Sequence, residues 1–422
     1  MRCMITVFIY KVCAIIKQNK NTNMQANIWK LKTATFLGAL VFFMPIITLY
    51  FLGNGVSLSA IVISQVFYSI FTFLGEVPTG IFADKYGQKY AVVLGHFFNI
   101  LPFVLMFVMP TTLGLFIAYS LLGLADAFLS GSTEAILYES TPKGIFKKHL
   151  SQILANETIG LAIGTLIAGG ILSQYGAEEA YRPILLLTIV AKVLAFVVSL
   201  GLTNPKIKIQ IAEKGSQALS ILKRSFGLIK NNKTVWTLTV VAILTLSGEY
   251  FLYGVYQPYF EAHNVAPFFF GFVLTAGAVL NYVIVRYVYL LERWFPLEKI
   301  LLILNAIVAL GYISLAAFVD PIFLIGGFII LKGFFNAQVP IISDYLHEQT
   351  SSDIRATVLS GISLIRSLFQ IFARIGLGIL VGVVSIGNTF LIQAAYLIIG
   401  VGVSYWLMVR CGCVNRIQKH YD

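Results

Sequence analysis

Residues 57–90 read SLSAIVISQVFYSIFTFLGEVPTGIFADKYGQKY, an apolar run over 57–82 followed by a short charged connection. A run of this length crosses roughly 30 Å of hydrocarbon as a helix. Eleven similar runs lie at 34–53, 90–109, 112–138, 151–173, 182–203, 235–257, 267–290, 298–318, 321–345, 355–384 and 387–409. The sequence therefore predicts an all-α polytopic membrane protein with twelve transmembrane helices.

The composition excludes most alternatives to this fold class. The chain is 58% hydrophobic and 11% charged, whereas soluble domains carry about 25% charged residues. A transmembrane β-barrel would show segments of about ten residues with alternating polarity, and these are absent. The net charge of +12 does not indicate nucleic-acid binding, because the Lys and Arg residues lie between the apolar runs.

The distribution of Lys and Arg predicts the orientation. Alternate connections and the two chain ends hold 24 of the 30 Lys and Arg residues, while the opposite connections hold only Arg182. Cytoplasmic loops collect these residues, so both termini should be cytoplasmic and the helix count even. We expect a multi-pass protein of a bacterial inner (plasma) membrane.

The longest connection divides the chain into equal halves. The predicted parts are a cytoplasmic N-terminal segment (1–27), a six-helix bundle (28–203), a basic amphipathic linker (204–234), a second bundle (235–410) and a cytoplasmic tail (411–422). The linker is expected to tether the two bundles at the membrane surface, and its lysines could alternatively bind anionic lipid. Met24 is a second possible start, so residues 1–23 could be an upstream extension.

The connection after the quoted run carries a motif, Gly-x-x-x-Asp-[Arg/Lys]-x-Gly-x-[Arg/Lys]. Its fixed positions are Gly80, Asp84, Lys85, Gly87 and Lys89. This pattern resembles the cytoplasmic signature of the major facilitator superfamily. The segments 76–80, 130–139 and 355–360 look like the drug-exporter-like branch, and the resemblance covers about 28–410. It implies two six-helix bundles that rock about a central site and expose it alternately to each face.

The resemblance also implies a cytoplasmic gate at this motif. Asp84 would face the start of the eleventh helix, where residues 351–355 offer backbone N–H groups and the guanidinium of Arg355. Gly80 would allow two helices to approach closely, and Gly87 would permit a tight turn. The alternative is that Asp84 is a solvated loop acid that only helps set the topology.

Two departures weaken the assignment to proton-coupled drug efflux. The fourth helix lacks the arginine found in many proton-coupled drug exporters. In the fifth helix, Gly160, Gly164, Gly169 and Gly170 are similar to the antiporter glycine signature, but no Gly-Pro pair completes it.

Acids at bilayer depth are functional candidates because they are costly to place there. Asp126 and Glu134 lie on the fourth helix, and their spacing puts them 80° apart at 100° per residue, so both can face one cavity. Glu249 lies on the seventh helix, followed by Tyr250 and Tyr253. An acid in an apolar cavity can exchange protons near neutral pH. The alternative is that these acids pair with buried cations and serve packing.

Cations also lie at bilayer depth. They are Lys192, Arg286, Lys332, Arg366 and Arg374. A cavity with Lys332 opposite Glu249 would suit an anionic or zwitterionic solute. Asn336, with Phe334, Phe335 and Gln338, is expected to form the facing wall on the tenth helix.

These residues together predict a secondary active transporter that moves a small organic solute by alternating access. The favoured substrates are amphipathic compounds exported by proton antiport, as in multidrug resistance. The alternatives are an uptake or exchange carrier for an organic anion or metabolite, and a channel. The sequence lacks enzyme and nucleotide motifs, and Cys411 and Cys413 have the wrong spacing for zinc. We therefore expect no enzymatic activity, metal or cofactor, and a monomer whose partners are solute, protons and lipid.

Overall fold

A computed structural model describes residues 25–141, 145–204, 227, 229–245, 249–335, 337–348 and 355–411. For several of these, among them Glu249, Tyr250 and Arg355, only the backbone is described. Most of the predicted linker, and Asn336, lie outside the described residues. The described helices are α1 (Gln25–Gly53), α2 (Leu58–Tyr86), α3 (Gln88–Val108), α4 (Thr112–Ser140), α5 (Phe146–Tyr175), α6 (Ala177–Leu200), α7a (Lys233–Thr245), α7b (Glu249–Ala262), α8 (Phe268–Tyr287), α9 (Leu297–Ala317), α10a (Pro321–Phe334), α10b (Val339–Glu348), α11 (Arg355–Val383) and α12 (Ile386–Cys411).

The length and apolar character of these helices show an integral, multi-pass membrane protein. Within the described ranges, eleven helices are long and apolar enough to cross a membrane. The shorter pair α7a and α7b occupies the position of the predicted seventh span. Large apolar side chains such as Val190 and Ile399 are exposed, as expected for surfaces that meet lipid.

The observed boundaries lie within about five residues of the predicted ones except at α1, which begins at Gln25 rather than near residue 34. Its first turns mix polar and apolar residues, and Asn27 anchors them. The Asn27 side-chain amide donates to the Ser140 hydroxyl (3.1 Å) and to the Thr203 carbonyl (2.9 Å). These tertiary contacts extend the helix beyond the apolar run.

The helices form two six-helix bundles, which confirms the predicted fold class. In the N-terminal bundle (α1–α6), α2 and α3 pack on α4, and α3 packs on α6. In the C-terminal bundle (α7a–α12), α9 packs on α12 and on α10a, and α8 packs on α10a. The two bundles meet where α2 packs on α11 and α5 packs on α8.

The apolar core differs between the two ends of the molecule. We call the end with residues 25 and 411 the terminal side, and the opposite end the far side. On the far side, one cluster of buried residues joins Leu49 and Val62 of the N-terminal bundle to Tyr256 and Phe270 of the C-terminal bundle. On the terminal side, the described clusters around Leu31 and around Ile300 each belong to a single bundle.

Candidate functional site

A cavity of about 1230 Å³ lies between the two bundles. Its walls come from both bundles and include α1, α2, α4, α5, α8 and α11. Ile61 and Tyr119 line it towards the far side, whereas Glu134 and Leu150 line it near the terminal-side ends of α4 and α5. The cavity therefore extends from the middle of the membrane-spanning region towards the terminal side.

Asp126 lies on the wall that the N-terminal bundle contributes. Its carboxylate accepts a hydrogen bond from the Tyr68 hydroxyl of α2 and interacts electrostatically with Lys192 of α6. The Lys192 side chain is only 5% exposed, donates to the Gly38 carbonyl and lies 5.2 Å from the centre of the Phe103 ring. Three helices thus fix this carboxylate at the cavity surface.

The same wall carries further ionisable groups. Glu134, the second predicted acid of α4, lines the cavity and is exposed within it. Glu76 of α2 and Glu157 of α5 also line it, and Glu157 interacts electrostatically with Asp126. His96 of α3 is 7% exposed and reaches the same space.

Glu76, Glu157 and His96 are absent from the predicted site. A signal for them existed, because each is an ionisable residue inside a predicted span.

Lys332 lies on the wall that the C-terminal bundle contributes. Its ammonium group is 4.5 Å from the centre of the Tyr253 ring, which places these two predicted residues in contact. A Cβ atom at Gly277 of α8 would lie 2.7 Å from the Cβ of Lys332, so this glycine leaves the space that the lysine stem occupies. The Asn281 amide donates to the Gly333 carbonyl (2.9 Å) and holds α8 against α10a.

Three other predicted site residues are described only in part or not at all. Glu249 and Tyr250 lie in the first turn of α7b, but their side chains are outside the described residues, as is the whole of Asn336.

Gln338 and Phe335, expected on the facing wall, are buried in the C-terminal bundle, where Gln338 accepts a hydrogen bond of 2.6 Å from Asn305. The expectation that they face the cavity is wrong, because polar pairing and apolar packing turn them inward.

The far side of the cavity is sealed by contacts between the bundles. Arg374 of α11 donates to the Gln65 carbonyl (2.7 Å) and to the Ser69 hydroxyl, both on α2. Ser59 of α2 donates to the Gly378 carbonyl of α11 (2.6 Å). Where α8 crosses α5, a Cβ atom at Gly271 would collide with the backbone carbonyl of Thr165.

Gln257 of α7b closes the far side at a break in α1. The α-helix of α1 is interrupted by a 3-10 turn at Met44–Ile46, which leaves backbone groups without helical partners. The Gln257 side chain, 1% exposed, accepts from the Thr48 N–H (2.8 Å) and donates to the Met44 carbonyl (3.0 Å). A side chain of one bundle thus satisfies the broken helix of the other.

The motif residues surround the junction of α2 and α3. Gly87 adopts φ 111°, so the predicted tight turn is present, and Asn204 occupies the space that a side chain there would need. The Lys89 N–H donates to the Asn204 side-chain oxygen (3.2 Å), and the Lys85 ammonium lies 5.1 Å from the Tyr86 ring centre. Asp84 is half-buried.

The close helix approach expected at Gly80 is not seen in this conformation. Among the described residues, no heavy atom lies within 4 Å of the place that a Cβ at Gly80 would occupy. The partner expected for Asp84, the segment 351–354 with the Arg355 side chain, lies outside the described residues.

Comparison with known proteins places these features in context. The sequence model of the Major Facilitator Superfamily matches residues 33–297. An uncharacterized MFS-type transporter of Bacillus subtilis (strain 168), YxaM, is 23% identical over 374 residues, which cover 86% of this chain and 90% of that protein.

Two solved structures illustrate the similarity in fold. A mutant form of the nucleoside transporter NupG gives a TM-score of 0.75 at 18% identity, over 90% of this chain and 99% of that chain. A D-xylose-proton symporter gives 0.69 at 12% identity, over 92% and 96%. At these identities the likeness concerns the fold alone.

Proposed function

The chain belongs to the major facilitator superfamily, and from this premise we propose that it exports small amphipathic solutes in exchange for protons. The observation that carries the proposal is the cavity between the bundles, which extends towards the terminal side, is sealed on the far side and holds Asp126 on its wall. The resemblance of segments 76–80, 130–139 and 355–360 to the drug-exporter-like branch supports the direction of transport.

Alternating access follows from the difference between the two sides. The far-side contacts of Gln257, Arg374 and Gly271 must separate before the cavity can open there, while the bundles come together on the terminal side. We infer that the terminal side faces the cytoplasm, because the connections predicted there hold most of the Lys and Arg residues. Asp84 and Arg355 would then form the cytoplasmic gate in the opposite conformation.

Proton coupling is proposed to occur at Asp126. A carboxylate can bind a proton or a cationic solute, but one carboxylate does not hold both, so each ligand displaces the other. In the observed conformation, Tyr68 donates a hydrogen bond to this carboxylate and Lys192 interacts with it electrostatically. Glu157 and Glu134 supply further carboxylates along the path towards the terminal side, and the Glu249 side chain remains a candidate from α7b.

The rest of the cavity suits an amphipathic solute. Apolar side chains such as Phe43, Ile61 and Leu122 line it beside the charged groups. We further propose that the protein transports its solute as a monomer.

An exchange carrier for an organic anion or metabolite is the second candidate. The observation that favours it is the presence of Lys332, Arg286 and Arg374 on the cavity wall. A carrier of this kind would depend on Lys332 more strongly than on Asp126.

Inverted vesicles with an imposed pH gradient test the first proposal. We expect a lipophilic cation to dissipate the gradient in the wild type, and Asp126→Asn to reduce this rate by about tenfold or more, because a charge-assisted contact is lost. Asp320→Asn is the matched control, since Asp320 caps α10a through the Ile322 N–H (2.9 Å) and asparagine caps equally well. Full activity of Asp126→Asn would remove this residue from the coupling mechanism.

A further inference from the structure

The charges around the cavity are segregated by bundle. Among the described lining residues, the acids come from the N-terminal bundle and are Glu76, Asp126, Glu134 and Glu157. The cations of the C-terminal bundle on the same cavity are Arg286, Lys332 and Arg374. The described side chains of the two walls therefore present mainly opposite charges to a solute between them.

Lys192 is a cation on the wall of the N-terminal bundle, but its ammonium group contacts residues of that same bundle. Its ammonium group donates to the Gly38 carbonyl and lies against the Phe103 ring. Only 5% of the residue is exposed, and its charge compensates part of the charge of Asp126, with which it interacts electrostatically. Glu157, exposed on the neighbouring helix α5, adds to the acidic character of this wall.

On the opposite wall, Lys332 is the cation nearest the middle of the membrane-spanning region. Arg374 already donates to two groups of α2 as part of the far-side seal. Arg286 is exposed and donates to the Tyr282 hydroxyl (2.8 Å). Lys332 lies between these two depths, with its stem packed against Gly277 and its ammonium group over the Tyr253 ring.

We propose that the cavity binds a solute that carries both a cationic nitrogen and an anionic group, oriented across the two bundles. The nitrogen lies against Asp126 and Glu157, and the anionic group lies against Lys332. The inference rests on the proposed function in one respect, that the transported solute occupies this cavity.

Bridging the bundles has a mechanistic consequence. A solute with one charge is held by one wall, whereas a solute with two opposite charges contacts both walls and draws them together. Such a solute favours closure of the terminal side, because only the closed conformation brings both walls to it. A ligand shifts a conformational equilibrium by its differential affinity for the two states.

The preference for zwitterions over singly charged solutes can be measured from the thermal stability of the purified protein in detergent. A bound ligand raises the unfolding temperature according to its affinity. The probes are phenylalanine and an aromatic dipeptide, each as the free zwitterion, the carboxyl methyl ester and the N-acetyl derivative. We expect each zwitterion to bind about tenfold or more tightly than both of its blocked forms, since each charge-assisted contact contributes that much.

Two substitutions assign the charges to the walls. Lys332→Gln should weaken binding of the zwitterion and of the N-acetyl form but leave the methyl ester unchanged. Asp126→Asn should weaken the zwitterion and the methyl ester and leave the N-acetyl form unchanged. Lys299→Gln, at an exposed position on α9, is the matched control and should change none of the affinities.

The proposal is overturned if blocked forms bind as tightly as the zwitterions, if neither zwitterion stabilises the protein, or if each substitution weakens all forms equally. These outcomes are separate from the failure of the proposed function. Proton exchange driven by a lipophilic cation without any preference for zwitterions would leave proton-coupled export standing. Zwitterion binding without proton exchange in vesicles would support the present inference and contradict proton-coupled export.

Discussion

The far side and the terminal side of the molecule are built from the same helices but packed in different ways. On the far side, Leu49 and Val62 of one bundle share a buried cluster with Tyr256 and Phe270 of the other. On the terminal side, the described clusters stay within their own bundles and the cavity separates them. The comparison shows that contacts between the bundles, rather than contacts within them, distinguish the two ends.

The far-side contacts are directed largely at backbone atoms. Gln257, Arg374 and Ser59 each hydrogen-bond to a main-chain group of the opposite bundle. Separation of the bundles would leave these groups without partners unless water entered. An unsatisfied group in an apolar environment costs about 1–3 kcal/mol. The seal therefore stabilises the observed conformation by an amount that substitutions can change.

The largest effect is expected for Gly271→Ala, which adds a Cβ atom against the Thr165 carbonyl where α8 crosses α5. Overpacking of this kind costs about 1–3 kcal/mol, so the far side should open and transport should fall by about tenfold or more. Labelling of far-side cysteines measures the opening. Gly326→Ala is the matched control, because nothing lies within 4 Å of the added atom there. Normal transport by Gly271→Ala would show that this crossing is not part of the seal.

Gln257→Leu should have the next largest effect. The leucine leaves the Thr48 N–H and the Met44 carbonyl without their partner at the break in α1. We expect far-side accessibility to rise by about tenfold, since one lost buried contact costs about 1–3 kcal/mol. Gln174→Leu, exposed at the far-side end of α5, should change nothing. Unchanged accessibility in Gln257→Leu would mean that water replaces the glutamine without cost.

Gly80→Val tests the terminal side in the same way. The added Cβ atom has no described neighbour of another helix within 4 Å in the observed conformation, so we expect the unfolding temperature to be unchanged. If the bundles approach at Gly80 in the opposite conformation, transport should fall by about fivefold, because overpacking would disfavour that state. Wild-type transport by Gly80→Val would show that the terminal side closes elsewhere.

Asp84→Asn should have the smallest effect on the equilibrium between the two conformations of the transporter. In the proposed gate, Asp84 faces the N-terminus of α11. A carboxylate at a helix N-terminus contributes about 0.3–1 kcal/mol of stabilisation, and up to ~2 kcal/mol when partly buried. Transport should therefore fall by about threefold or more while membrane insertion remains intact. Transport assays and expression levels measure the two quantities. Glu139→Gln, exposed near the end of α4, is the control. Transport equal to the wild type would remove the gate contact from the mechanism.

The fold could be predicted from the sequence because bilayer thickness fixes the length of each apolar run and loop charge fixes their alternation. The start of α1 could not, since residues 25–33 are fixed by tertiary contacts, among them the hydrogen bonds of Asn27 and the burial of Leu31. The break in α1 likewise depends on Gln257, which lies more than 200 residues later in the chain.

The site was predicted in part, because charge at bilayer depth identifies candidates but not their neighbours. Asp126, Glu134, Tyr253 and Lys332 all line the cavity. Glu157 meets the same criterion as Asp126, since it is an acid inside a predicted span, but it is absent from the predicted site. The positioning of Asp126 by Tyr68 and Lys192 could not be foreseen, since it depends on how α2 and α6 pack against α4.

Cysteine labelling from each side of the membrane tests alternating access most directly. The background replaces the four native cysteines, and the probes are Thr158→Cys on the cavity wall and Ser59→Cys in the far-side seal. A charged thiol reagent should label Thr158→Cys from the terminal side only. Conditions that drive transport should lower this labelling and raise labelling of Ser59→Cys from the far side. Labelling of either position from both sides at once, or of neither position under any condition, would contradict the account.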